Sequence, residues 1–403
     1  MTDKDLFDRV DAVYDWAVAM RRRIHENPEL GEREFETQKT ICAALDEMGV
    51  EYTTESTWVI GLIRGAYPGP TVGFRADIDA LPVTEPMGCP FRSKNEGVMH
   101  ACGHDAHTAI LLGTARVLAG MREQLHGNVK LLFQPAEESV GGAERMVKAG
   151  AMENPHVDYV YGLHVMPRLP LGTVETRTGT LNASTDRIEI TVRGVSGHGA
   201  YPESGADAIV CAAQMVTALQ TLVSRNLSPL SSAVLSFGVI EGGKAPNIIC
   251  DRVKLTGTLR TANAEIRAMM KRRVAEVAQG VASAMGCQAE VDIQSGYNAL
   301  VNDATEAARV RRVGARLFGD KNMLEKAEPS MGAEDFSFFN DVAPGAFYHI
   351  GCVLPEELPA PALHSDQFHL DERCLKVGMA MHAAMALEHL ASNGELGMGN
   401  GEF

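Results

Sequence analysis

The 403-residue chain is 45% hydrophobic and 22% charged, the balance of a soluble globular protein, and it is long enough for two domains. A formal charge of −15 argues against nucleic acid or an anionic membrane surface as partners, since both are held by Lys and Arg. There is neither a run of 18 apolar residues nor a basic-then-apolar leader, and the eight cysteines lack framework spacing. A cytoplasmic protein with free thiols and no membrane span is therefore expected.

Residues 5–26 and 34–49 read as helices, the second closing at Gly49 in a C-cap position. Strand-like apolar runs follow at 59–65, 71–76, 128–133 and 157–162, with a helix at 106–121 between two of them. Such alternation predicts an α/β domain whose sheet is covered by helices. The pattern then changes to a strand at 186–194, a helix at 206–223 and strands at 232–240 and 248–260, followed by a helix at 264–285 and a strand at 288–294. That βαββαβ order is ferredoxin-like. After residue 298 the alternation resumes, with a strand at 346–351 and a helix at 371–391. The expected organisation is an α/β domain of residues 1–184 and 298–403, interrupted by an inserted α/β sandwich of residues 185–297. The Gly-rich stretch from Gly394 to Phe403 reads as a frayed tail.

The chemistry-bearing stretch is Met-His-Ala-Cys-Gly-His-Asp-Ala-His-Thr, residues 99–108, at the mouth of an apolar helix. Cys102 and His104 offer thiolate and imidazole, donors that transition metals take, close enough to grip one ion or two adjacent ones. Asp77 and Asp79, Glu137 and Glu138, and His164 each fall just past a predicted strand, where open α/β sheets place their ligand crevice. Adjacent carboxylates diverge in direction, so one of Glu137 and Glu138 can ligate while the other handles a proton. Asp79 suits the orientation of a ligating imidazole, or a plain turn before Pro82. His25 and His100 have no evident partner, and His107 reads as a structural neighbour. His198 sits between glycines, Asn247 in a hairpin turn, Arg260 at a strand end, and His364 in a loop before a helix. The acidic turn Gly332-Ala333-Glu334-Asp335-Phe336 either lines the same crevice or caps a helix.

Taken together, Arg-Ala-Asp-Ile-Asp-Ala-Leu-Pro, Met-His-Ala-Cys-Gly-His-Asp-Ala-His, Gln-Pro-Ala-Glu-Glu, Gly-Leu-His, Ser-Gly-His-Gly-Ala-Tyr-Pro, Met-Gly-Ala-Glu-Asp-Phe and Leu-His-Ser-Asp resemble the aminoacylase-type metallopeptidases. The likeness is to the branch of hippurate hydrolases, N-acyl-amino-acid amidohydrolases and auxin-conjugate hydrolases, and it runs from about His25 to about His382. The resemblance implies a zinc-peptidase-like catalytic domain with a mixed sheet, and an inserted lid that also forms a homodimer. It implies two divalent ions, Zn²⁺ or Mn²⁺ with Co²⁺ or Ni²⁺ as alternatives, on Cys102, His104, Glu138, His164 and His364, with the Cys102 sulfur bridging. Glu137 is then the general base, Asp79 the support behind a metal-bound histidine, and His198 an oxyanion donor to the other subunit. Asn247 and Arg260 match substrate-contacting positions. The expected reaction is hydrolysis of an N-acyl amino acid. An N-acetyl-diaminopimelate deacetylase or dipeptidase is the alternative within the same chemistry. A non-catalytic metal-binding protein is a third reading, against which Glu137 argues.

Overall fold

Thr2 begins the first helix, Asp3–His25, with a reciprocal cap: its hydroxyl accepts from Asp5 N and its own amide donates to the Asp5 carboxylate. Leu6, Val10, Ala17 and Ile24 form the buried stripe of that helix. The computed structural model describes residues 1–391, so the stretch from Gly394 lies outside it. The chain divides into two compact units, Met1–Gly179 with Val301–Ala327 and Phe338–Phe403, and Thr180–Leu300 with Glu328–Ser337.

The first unit is built on an eight-stranded mixed sheet in the order Glu51–Glu55, Trp58–Arg64, His126–Gln134, Tyr67–Asp77, Tyr159–Pro170, Gly345–Val353, Val174–Thr176 and Met323–Glu325. Its centre is parallel: Tyr67–Asp77 runs with both His126–Gln134 and Tyr159–Pro170, and the latter runs with Gly345–Val353. These strands read as near-continuous apolar runs because both of their faces are covered. The helices His104–Ala119 and Cys374–Leu390 are buried on almost every side, which explains why neither shows a clean polar face in sequence. The strand expected at 157–162 is longer, so His164 stands inside it rather than past its end. Pairing with Gly345–Val353 continues through His164 opposite His349 and on to Met166 opposite Gly351.

The second unit is an antiparallel sheet in the order Ala233–Gly242, Arg252–Thr261, Ser184–Arg193 and Gln288–Ser295, with two helices, Ala208–Asn226 and Ala264–Ala284. Along Ser184–Arg193 alternate residues are buried, Ile188, Ile190 and Val192 facing the helices' Met215, Leu219, Met270 and Val274 in one core. Residues 298–403 do not all belong to the first unit. Glu328–Ser337 joins the second because Ala183 N donates to Ser330 O and Gly332 O, while Ser330 N donates to Leu181 O. The helix Ala208–Asn226 is long and apolar enough to cross a membrane by length and composition alone, although Gln214, Thr217, Gln220 and Thr221 interrupt its apolar run. Here one face of it, Cys211, Met215, Leu219 and Leu222, is packed in the core of the second unit.

Candidate metal centre

Parallel strands end on the same side of the sheet, so their terminal residues share one rim. Asp77 closes Tyr67–Asp77 and Gln134 closes His126–Gln134, tied by Ile78 N donating to Gln134 O (2.9 Å). Two residues past Gln134, Ala136 adopts φ 58°, a left-handed conformation that an alanine enters at a cost of roughly 1–3 kcal/mol. It is held there from both sides. Ala136 N donates to Glu34 Oε1 (2.9 Å), and Gly141 N donates to Ala136 O (2.9 Å). Glu34 is itself fixed by the Thr57 hydroxyl (2.7 Å). The turn aims Glu137 and Glu138 back over the strand ends.

Gly103 begins the helix His104–Ala119 at φ 90°, where a Cβ would lie 2.3 Å from Val165 Cγ2, so only glycine fits between this turn and the neighbouring strand. The tight approach sets Cys102 Sγ 3.3 Å from His164 Nε2. His164 Nδ1 donates to Val165 O (2.6 Å), which leaves Nε2 with its lone pair. Asp79 braces both walls: one oxygen faces His104 Nδ1 (3.1 Å) and the other accepts Glu138 N (3.0 Å). His104 Nε2 thereby points inward, 3.6 Å from Asp77 and 3.9 Å from Glu138. His364, at φ 66°, is pinned by its own N–H to Ala101 O (2.8 Å) and reaches Glu138 Oε1 at 3.0 Å.

Three overlapping sets of donor atoms each lie within 4.8 Å: Cys102, His104 and His164; Cys102, Glu138 and His364; His104, Glu137 and Glu138. Two buried atoms facing this cluster, His104 Nε2 and Glu138 Oε1, make no properly directed hydrogen bond. Buried polar atoms seldom stay unpaired, and a cation among these donors would satisfy both. The electrostatics point the same way. Burial pushes the His104 imidazole down, but the Asp77, Asp79 and Glu138 carboxylates override it and raise it to about 10. Burial, then Glu138 and Glu137, hold the Cys102 thiol well above its ordinary value. So much negative charge around one imidazole and one thiol is a field that a dication would neutralise, releasing the thiol proton.

Several partners escaped the sequence reading. His107 is structural: Val165 N donates to its Nε2 (2.9 Å), so its Nδ1 carries the proton that Asp77 accepts (2.6 Å). Asp77 is in turn neutralised by the buried Arg75 (2.8 Å). His25 has two carboxylate partners, Asp105 and Glu85. His100 is buried with neither ring nitrogen hydrogen-bonded, and burial pushes it down to about 3, a neutral imidazole in the core. Glu34 had no local signal at all, because its contacts lie 23 and 102 residues away.

His198, Asn247 and Arg260 belong to the second unit. His198 is exposed on a short strand paired with Ile248–Ile249, its Nδ1 accepting from Ala200 N (3.1 Å). Asn247 is brought beside it by its carbonyl, which accepts Gly199 N (2.8 Å). Arg260 donates to the Thr185 hydroxyl, and burial lowers its guanidinium from the ordinary value. Glu334 accepts Phe336 N (2.9 Å) within the same unit.

The model of peptidase family M20/M25/M40 matches residues 73–388, a span that includes Asp77, Cys102, His104, Glu137, Glu138, His164 and His364. The chain belongs to that family. Among its relatives, the IAA-amino acid hydrolase ILR1-like 4 of Arabidopsis thaliana is 40% identical over 94% of this chain and 86% of its own length. The N-acetyl-L-cysteine deacetylase of Bacillus subtilis is 40% identical over 87% of this chain and 83% of its own. The crystal structure of the Bacillus subtilis YXEP protein, described as a dinuclear metal-binding peptidase of the M20 family, superposes with a TM-score of 0.83 at 36% identity. It covers 94% of this chain and 98% of that one.

Proposed function

We propose that the chain is a two-metal amidohydrolase that cleaves N-acyl amino acids to a carboxylic acid and a free amino acid. The observation that carries this reading is the convergence of Cys102, His104, Glu138, His164 and His364 in one buried cluster, where His104 Nε2 has no hydrogen-bond partner and Glu138 Oε1 meets only His364. Cys102 would be shared by both halves of the ligand set, since its sulfur belongs to two donor groups, with His104 and His164 in one and Glu138 and His364 in the other. Thiolate with imidazole favours Zn²⁺, and Mn²⁺, Co²⁺ or Ni²⁺ suit the same mixed set; elemental analysis of protein purified without added metal decides. The chemistry such ions supply is Lewis acidity, which polarises an amide carbonyl and lowers the pKa of water.

Glu137, one residue before the ligand Glu138, takes the proton of the attacking water and returns it to the leaving nitrogen. Asp79 keeps this exchange in register, since the same carboxylate orients His104 and holds the Glu138 backbone. The substrate class draws support from the relatives' names: an IAA-amino acid and N-acetyl-L-cysteine share an amino-acid part, and the second carries an N-acyl group. A panel of hippurate, N-acetyl amino acids, N-acetyl-diaminopimelate, IAA conjugates and dipeptides, with and without chelator, tests it. Chelator-sensitive release of amino acid from the N-acyl compounds is expected; cleavage of dipeptides alone, or of nothing, overturns the reading.

The second unit is assigned a pairing role. Its edge strand Ala233–Gly242 exposes Val234 and Val239 on one face and Ile240 on the other, and its outer edge is open to a second copy of the chain. In such a homodimer His198 would serve the partner's site as oxyanion donor, with Asn247 and Arg260 contacting substrate. A monomeric mass in solution would remove that role. All eight cysteines are unbridged, which supports a cytoplasmic, reducing location, where Cys102 stays available as a thiolate.

A further inference from the structure

A second set of metal-ligating side chains lies apart from the centre above and shares no donor with it. His25, the last residue of the helix Asp3–His25, places Nε2 3.1 Å from Glu85 Oε1, and Cys89 Sγ lies within 4.8 Å of both. His25 and Glu85 are buried, while Cys89 is partly exposed to solvent. Each donor is already aimed. His25 Nδ1 is fixed on Asp105 Oδ2 (2.8 Å), the carboxylate–imidazole arrangement that orients a ligating histidine and leaves Nε2 to bind. Glu85 is held by Ser93 N on its other oxygen (2.7 Å) and by Arg92 Nε on its carbonyl (2.9 Å). The tight loop 85–93 thus returns Cys89 toward the histidine. Phe91 packs edge-on against His25 with ring centroids 5.4 Å apart, and the Arg21 guanidinium lies over the same ring at 5.0 Å.

We infer that His25, Glu85 and Cys89 form a third divalent-metal site, of the zinc class, with a fourth position open to water. One nitrogen, one oxygen and one sulfur on a buried, braced frame match tetrahedral zinc. Neighbouring ligands of such an ion stand a little over 3 Å apart, as His25 and Glu85 already do. The exchange balances. Hydrogen bonds from both ring nitrogens to carboxylates need His25 doubly protonated. Zn²⁺ displaces one proton from His25 Nε2 and one from the Cys89 thiol, so two protons leave as one dication enters, and the pocket's net charge is unchanged. Occupancy pins the loop 85–93 to the end of the first helix, and through Asp105 it bears on the residue next to His104.

The test uses the full-length protein with Zn²⁺ as the probe, and reads alkylation of Cys89 by iodoacetamide through peptide mass spectrometry. At zinc about ten times the site's Kd, alkylation of Cys89 in the wild type slows roughly tenfold. In E85Q, which stays isosteric and keeps an acceptor oxygen, zinc gives no protection. Metal content rises in step, from two zinc ions per chain in C89S to three in the wild type. Equal alkylation with and without zinc overturns the site, as does full protection persisting in E85Q, which would mean thiol binding alone. Protection of Cys89 in a chain holding only one other ion would fail the two-metal reading and leave this site standing.

Discussion

Replacing Glu34 by Gln isolates a buried carboxyl that no substrate or metal touches in the scheme above. Burial pushes Glu34 up to about 7; hydrogen bonds from Thr57 and Ala136 pull against that, and Asp79 adds to it. In the unfolded chain the same group titrates near 4.5. The folded state therefore holds the proton more tightly. The associated stability is full below the unfolded value and is lost as pH rises through the folded one, a window from about pH 4.5 to 7. Between pH 5 and pH 8 the loss through this one group is about 2.5 kcal/mol, or about 5–10 °C in Tm for a unit of this size. Gln accepts from Ala136 N as Glu does but carries no proton to lose, so E34Q should be flatter with pH by that amount. Both tryptophans, Trp16 and Trp58, lie in the first unit, so fluorescence excited selectively at tryptophan during thermal unfolding of chelated protein reads that unit. Melting points of E34Q that fall with pH as steeply as those of the wild type would refute the reasoning. E34A, which also removes the acceptor for Ala136 N, should lower kcat where E34Q does not.

The remaining expectations concern the metal centre. Glu137→Gln should keep its full metal content by elemental analysis while turnover falls about 10²–10⁴-fold; retained turnover would mean that another group is the base. Cys102→Ala removes a donor shared by two sets, so the chain should purify with less than half the wild-type metal, against unchanged content if the sulfur is incidental. Gly103→Ala drives a methyl against Val165 beside His164, and should weaken metal affinity in a competition with a chromogenic chelator while leaving the circular dichroism spectrum intact.

Local pattern carried much of the architecture. The alternation of Ile188, Ile190 and Val192 marks one face of a sheet, and the Gly-led break before His104 marks a helix start, because each signal spans fewer than ten residues. The donors at 102–104, 137–138, 164 and 364 were likewise visible as types of side chain in a recurring order. What sequence could not show is who holds them. Asp105 with His25, Asp77 with His107, and Glu34 with Ala136 are pairings across 80, 30 and 102 residues, made by strand order and helix packing rather than by spacing. The length of the strand Tyr159–Pro170 was missed for a related reason. Its far half is paired to a strand nearly two hundred residues later, and its own residues do not announce that.

His364 is tied by its backbone to Ala101, one position before Cys102, although the whole second unit is encoded between them. During synthesis, a chain released only as far as the second unit owns four of the five proposed ligands and lacks the one that closes the ring. On that assignment, tight metal capture would wait until His364 has been made. Loss of even the last tenth of the sequence removes His364 along with the helix Cys374–Leu390 that roofs the sheet. An ion held by the proposed ligands would join the first and last thirds of the polypeptide once both exist.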